Sequence, residues 1–181
     1  GLVGALALGS AAGVDYYEEA LPTTMNPVFA KSMVDFRSHE LVFDRLYHRS
    51  PITNELESSV VESDEILNQG GMLKMTLKRG IKWHDGKKFV ADDVCFTVNA
   101  LLNENTPSSY AKVYRESIKS CVAEGKDTVI ITFNKVYPYP RERVAFPVIP
   151  EHVFDGNTAL DPAHGFANEP VGTGPMKAVK T

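Results

Sequence analysis

Several things are scarce in this 181-residue sequence, and each shortage removes a class of function. Only two cysteines occur, Cys95 and Cys121, and neither has a CxxC partner or a nearby histidine pair, so a zinc centre finds no ligand pattern. His39, His48, His152 and His164 are scattered, with no H-x-x-x-H or H-E-x-x-H spacing, and no other metal is expected. A G-x-S-x-G elbow is missing, and neither cysteine stands in a nucleophile motif. The formal net charge is -4 with both signs interspersed. Without a basic stripe, binding to nucleic acid is not expected. The chain also lacks internal repeats and low-complexity tracts.

What remains has the profile of a folded protein. Apolar residues make up 43% and charged residues 23%, enough for one ordinary domain or two small ones. Gly1 to Ala12, "GLVGALALGSAA", is apolar, uncharged and too short to cross a bilayer. It reads as the apolar region and small-residue end of a secretory signal without its basic start, with an ordinary helix or strand as the alternative. Cys95 and Cys121 sit among apolar neighbours and are expected as buried free thiols, a disulfide being the alternative.

Periodicity supplies the elements. Val14 to Val28 reads as a short strand running into a loop set by Pro22, Asn26 and Pro27. Ser32 is the natural N-cap of an amphipathic helix reaching Tyr47, with Met33, Phe36, Leu41, Phe43, Leu46 and Tyr47 as its apolar positions. Val60 and Val61 mark a strand, and Gly70-Gly71 a turn. Leu73, Met75 and Leu77 alternate with Lys74, Thr76 and Lys78, which predicts a half-buried strand. After a bend, Val90 to Leu102 repeats apolar residues at helical spacing, with Asp92 and Asp93 in its dipole-favoured first turn. A short helix is expected around Tyr110 to Ile118. Two strands joined at Glu124-Gly125-Lys126-Asp127 follow, then a short helix at Arg141 to Ala145.

Among candidate sites, Trp83-His84-Asp85-Gly86 invites a general-base reading, yet adjacent side chains usually diverge and no nucleophile is in view. A structural role fits better: Asp85-Gly86 makes the turn and Trp83 packs between elements. Paired acids at Glu18-Glu19 are assigned to an exposed strand edge. "VGTGP" (Val171 to Pro175) lacks the frame of a phosphate loop and reads as a close backbone crossing at Gly172, Thr173 and Gly174. "PTTMNP" places Thr23, Thr24, Met25 and Asn26 at a strand end, where α/β proteins often hold ligands.

Three motifs in order, "LKRGIKWHDGKKFVADDVCFTVNALL", "FPVIPEHVF" and "EPVGTGPMKAVK", resemble the extracellular solute-binding proteins, family 5, of ABC importers. The early "EALPTTMNPVFA" and "ELVFDRLYHR" fit the same family, while His48 to Gly71 departs from its pattern. The resemblance implies a mixed α/β fold: part of a type II periplasmic-binding-protein lobe carrying an inserted mixed α/β domain. Residues 13–47 and 168–181 would then belong to domain I and 48–167 to the inserted domain II, with 1–12 leading in. Full-length members are well over twice as long, and the opposite lobe would lie outside this chain. By resemblance the protein is a monomeric, non-catalytic receptor without cofactor, capturing a peptide or similar small solute in the periplasm for an ABC permease. The Thr23–Asn26 and Gly172–Gly174 loops would border its ligand cleft. Two other readings stand beside it: a small secreted hydrolase using His84 or His152 with an acid, and a protein-interaction module without ligand. The receptor reading expects Trp83→Ala to lower the thermal midpoint, while the hydrolase reading expects His84→Ala to abolish a measurable rate.

Overall fold

The computed structural model describes residues 18–154 and 161–178, together with the backbone of Leu8–Gly9. Within the stretch Gly1 to Ala12 read as signal-like, Leu8–Gly9 pairs as a strand with Lys177–Ala178, which goes against that reading and fits its alternative, an ordinary strand; the rest of that stretch and the opening strand from Val14 lie outside the described residues. In chain order the elements are β1 (Leu8–Gly9), α1 (Met33–Val42), β2 (His48–Arg49), β3 (Leu56–Glu57), β4 (Val61–Leu67) and β5 (Met72–Leu77). They continue with α2 (Ala91–Leu102), α3 (Ser109–Ser117), β6 (Ile118–Glu124), β7 (Thr128–Phe133) and β8 (Lys177–Ala178).

The central layer is an antiparallel sheet in the order β4-β5-β7-β6. Alternation makes it one-sided: Leu73 and Met75 of β5 pair with Ile131 and Val129 of β7, and all four are fully buried. On that face lies α2, which buries Val94, Val98 and Leu101. On the other face Lys74, Thr76 and Thr132 are half-exposed. The pairing of β4 with β5 shifts register between Val61 and Ser63, and that of β6 with β7 between Ile118 and Ser120, so both outer strands carry a bulge. Two further antiparallel pairs, β2 with β3 and β1 with β8, complete the strands.

Helix ends follow local chemistry. Ser32 caps α1 in a reciprocal box: its hydroxyl accepts from the Asp35 N–H at 3.1 Å, and the Asp35 carboxylate accepts from the Ser32 N–H at 3.0 Å. Ser108 caps α3 by accepting from the Ala111 N–H at 3.1 Å, and its hydroxyl donates to the Val28 carbonyl at 2.5 Å.

Three sequence expectations are corrected. The first helix does not reach Tyr47; it stops at Val42, and Phe43 takes an extended conformation with φ -119° and ψ 136°. Phe43, Leu46 and Tyr47 are buried from this extended stretch, where Arg45 bridges to Pro147, while Met33 is 65% exposed. The inward face of α1 includes Asp35, Ser38 and His39, because α1 packs on loops whose main-chain groups need hydrogen bonds. The cysteines are not free thiols: Cys95 on α2 and Cys121 on β6 form a disulfide across a Cα separation of 5.2 Å. Helix-on-sheet packing brings them together, which their separation along the chain conceals. Nor is Glu18 a solvated edge residue; it takes Arg37 bidentately at 2.6 and 2.7 Å, its side chain only 12% exposed.

The disulfide closes a loop with a sequence separation of 26. Its removal, by reductant or in a Cys95→Ala/Cys121→Ala double variant, is expected to cost about 3 kcal/mol. Urea unfolding of the two forms measures it, and identical midpoints would contradict a stabilising role.

Candidate functional site

Thr23–Asn26 and Gly172–Gly174 dock on the same helix, α1, and each contact is built largely from main-chain groups. The Asp35 carboxylate organises the first. It accepts from the Thr23 N–H at 2.6 Å, the Thr23 hydroxyl at 2.8 Å and the Lys31 N–H at 2.9 Å, besides its cap bond to Ser32. Asp35 has no exposed surface. Burial would push its carboxyl up, but the hydrogen bonds from Lys31, Thr23 and Ser32 outweigh it and hold the pKa at about 2. A buried charge is thus retained because donors surround it.

One turn further on, His39 is 1% exposed and its Nε2–H donates to the Thr24 carbonyl at 2.9 Å. Burial lowers this imidazole to about 4 against the upward pull of the Thr24 carbonyl and Asp35, so the ring is neutral at pH 7. The Thr24 hydroxyl accepts from the Asn26 N–H at 3.0 Å, and Asn26 Oδ1 from the Val28 N–H at 3.1 Å. Met25 and Asn26 are buried, leaving Thr23 exposed and Thr24 half-buried for outside contact. Asn26 Nδ2 is buried without a hydrogen-bond partner.

Gly172 and Gly174 lie against the end of α1 with no room for a side chain. A Cβ on Gly172 would stand 1.8 Å from the Val42 carbonyl oxygen, and one on Gly174 2.7 Å from the Val42 carbonyl carbon. The Gly174 N–H donates to the Val42 carbonyl at 2.9 Å and the Met176 N–H to the Leu41 carbonyl at 3.0 Å. Thr173 accepts from the Asp44 N–H through its hydroxyl at 3.4 Å.

The Trp83–Gly86 turn holds this crossing from a third element. The His84 N–H donates to the Gly172 carbonyl at 2.8 Å. Of its ring, Nδ1 accepts from the Gly172 N–H at 3.3 Å and Nε2 bonds the Gly174 carbonyl at 2.9 Å. Trp83 is 2% exposed, donates from Nε1 to Asp93 at 3.1 Å and packs against Phe89. Asp93 also accepts from the Val90 and Glu151 N–H groups; burial raises its pKa, and these donors offset the rise only in part. Asp85 caps the Lys87 N–H at 3.1 Å and faces His152 Nε2 at 2.6 Å, while Gly86 turns the chain with φ +90°. Among the described residues no serine, threonine or cysteine side chain is hydrogen-bonded to the His84 or His152 ring.

Sequence reasoning missed an open cavity of about 340 Å³ beside the crossing, lined by Phe43, Asp44, Arg45, His48 and Pro175 among others. Neither Thr23–Asn26 nor Gly172–Gly174 lines it. Arg45 pairs with Glu40 at 3.3 Å and donates to the Ala145 carbonyl at 3.4 Å, leaving its Nε buried and unpartnered. The charges interleaved in "VFDRLYHR" are the sequence signal of this wall, in a stretch whose apolar spacing suggests a helix. Among the described residues no group of three His, Cys, Asp or Glu side chains could hold a metal ion.

The comparisons agree with this frame. Residues 55–181 match the family described as bacterial extracellular solute-binding proteins, family 5 Middle, and the chain belongs to that family. It is 28% identical over 155 residues to Protein XP55 of Streptomyces lividans, covering 85% of this chain and 27% of that protein. Against the oligopeptide-binding protein AppA of Bacillus subtilis it is 25% identical over 160 residues, covering 86% of this chain and 29% of the relative. The solved structure of NikZ from Campylobacter jejuni in complex with Ni(L-His) superposes with a TM-score of 0.75 at 30% identity, over 88% of this chain and 31% of that one. The fold is therefore the mixed α/β architecture of type II periplasmic binding proteins. The chain spans under a third of the length of each.

Asp35→Asn should loosen the Thr23–Asn26 loop and cost about 2 kcal/mol at pH 7. Because the folded pKa is depressed, this stability is present above the unfolded carboxylate range. It is lost as pH falls from about 4 towards 2. Denaturant unfolding at pH 7 and pH 3 should show the difference between wild type and variant shrinking.

Proposed function

We propose that this chain supplies part of the substrate-binding component of an ABC importer, capturing a peptide or similar small solute for delivery to a membrane permease. The observation that carries the reading is membership of a solute-binding family, joined to a crossing at Gly172–Gly174 that packs on the same helix as the Thr23–Asn26 loop. The relative AppA, described as oligopeptide-binding, favours peptides, and the nickel–histidine complex of NikZ makes a chelated metal the second solute class.

In this reading residues 13–47 and 168–181 form part of one lobe and 48–167 an inserted domain. The whole central sheet falls within 48–167, while the bonds from Met25 to Ala167, Gly174 to Val42 and Met176 to Leu41 lie near or beyond its ends. Thr23, Thr24, Met25, Asn26, Gly172, Thr173 and Gly174 form the near wall of the cleft, Thr23, Thr24 and the crossing backbone making the contacts. Trp83, Asp85 and Gly86 are scaffold. Ligand would be held by lobes swinging together, so that the closed state is stabilised by touching both. No bond is transformed: the His84 ring is spent on glycine main chain, and His152 on Asp85. The receptor acts as a monomer in the periplasm; its disulfide suits that oxidising compartment.

Tested by themselves, residues 1–181, which supply one wall of the proposed cleft, should bind short peptides weakly. Titration followed by amide NMR should move the Thr23–Asn26 and Gly172–Gly174 signals at millimolar peptide. Micromolar affinity by calorimetry, or shifts confined to the Arg45 cavity, would displace the assignment.

A further inference from the structure

We propose that His84 is a pH-sensitive clasp on the Gly172–Gly174 crossing, its neutral ring accepting from the Gly172 N–H and giving up that one bond when the ring charges, while the main-chain bond from the His84 N–H to the Gly172 carbonyl persists. The partners dictate the ring's proton. The Gly172 N–H can only donate, so the nitrogen 3.3 Å from it, Nδ1, carries no hydrogen. The Gly174 carbonyl can only accept, so Nε2, at 2.9 Å, carries one. Both bonds together require the neutral Nε2–H tautomer. A second proton on Nδ1 sets one N–H against another, abolishing the Gly172 bond and leaving the Gly174 bond intact. Acid therefore acts at one end of the clasp.

The surroundings favour this reading over a fixed scaffold. Facing the clasp are Lys177 of β8, whose ammonium lies 3.4 Å from the His84 carbonyl oxygen, and Asp85 and Lys87 of the same turn. Asp44 adjoins Thr173, and His152 reaches in from the Glu151–Val153 turn, where its ring takes Asp85. That carboxylate is committed to His152, and among the described residues no carboxylate is bonded to the His84 ring. Three other histidines behave differently. His39 is buried with its ring held at about 4, so it charges only in much stronger acid. His152 faces a carboxylate, where a proton strengthens the bond. His164 accepts from Phe166, two positions away, whereas His84 and Gly172 are 88 positions apart. Of these contacts, the His84 Nδ1 bond is the one whose loss loosens a link between distant segments, leaving the His84 N–H on the Gly172 carbonyl and Nε2 on the Gly174 carbonyl in place. The clasp rests on this hydrogen-bond geometry alone and stands whether or not the crossing touches a solute.

The test is a proton–nitrogen NMR titration of the chain from pH 7.5 to 5. At pH 7.5 the His84 Nδ1 should show the nitrogen shift of a bare acceptor. The Gly172 amide should titrate with the His84 ring at one midpoint, its exchange protection falling about tenfold while Gly174 is spared. His84→Asn, whose amide offers an acceptor and a donor without titrating, should flatten the Gly172 response, and Asp85→Asn should leave it in place. A protonated Nδ1 at pH 7.5, Gly172 protection that stays constant through the His84 midpoint, or a decline unchanged in His84→Asn would each overturn the proposal. If His84→Asn does not fold, the wild-type titration decides by itself.

Discussion

Helix α1 ends where the main chain of Gly172 and Gly174 runs across it, and much of the neighbouring structure depends on that contact. The approach is so close that a single added carbon would collide with the Val42 carbonyl. Backbone touching backbone leaves little apolar area to bury, so the contact is held by directed bonds: Gly174 and Met176 to the helix end, and His84 to both glycines. Each bond is modest by itself. Together they fix how a late segment of the chain sits on an early one.

The same logic explains why α1 is polar where it is buried while the sheet is not. Between β5, β7 and α2 the facing side chains are predominantly apolar, Leu73, Met75, Val129 and Ile131 against Val94, Val98 and Leu101, and burial is the main force holding the layers, with the Cys95–Cys121 bond tying α2 to β6. Around α1 the neighbours are loops, and loops bring unpaired N–H and C=O groups with them. Asp35 collects three of those N–H groups and His39 answers the Thr24 carbonyl. The protein thus joins an apolar layered body to a hydrogen-bonded collar, and it is the collar that carries the residues nominated for ligand contact.

Legibility in the sequence divides along this line. Leu73, Met75 and Leu77 reveal a strand because strict alternation has one geometric meaning, and Val94, Val98 and Leu101 reveal a helix for the same reason. The Ser32 cap is equally local. By contrast the early stop of α1 at Val42 follows from Phe43 and Leu46 finding burial in an extended stretch, a tertiary decision that periodicity misassigned. The Cys95–Cys121 bond and the Arg45 cavity arise from segments brought together by folding. Trp83, Asp85 and Gly86 read as a turn from their chemistry, whereas the two-nitrogen grip of His84 depends on partners 88 and 90 positions away.

The bulges noted in the two outer strands bear on how this molecule keeps to itself. Strands β4 and β6 leave one row of backbone groups each without a neighbour in the sheet, an invitation for another copy to extend it. The irregularities at Val61/Ser63 and Ile118/Ser120 twist those rims, and exposed Glu62, Glu65, Lys119 and Glu124 place charge along them. A second molecule approaching edge-on meets kinked, charged borders, which discourages fibre-like stacking in a concentrated compartment.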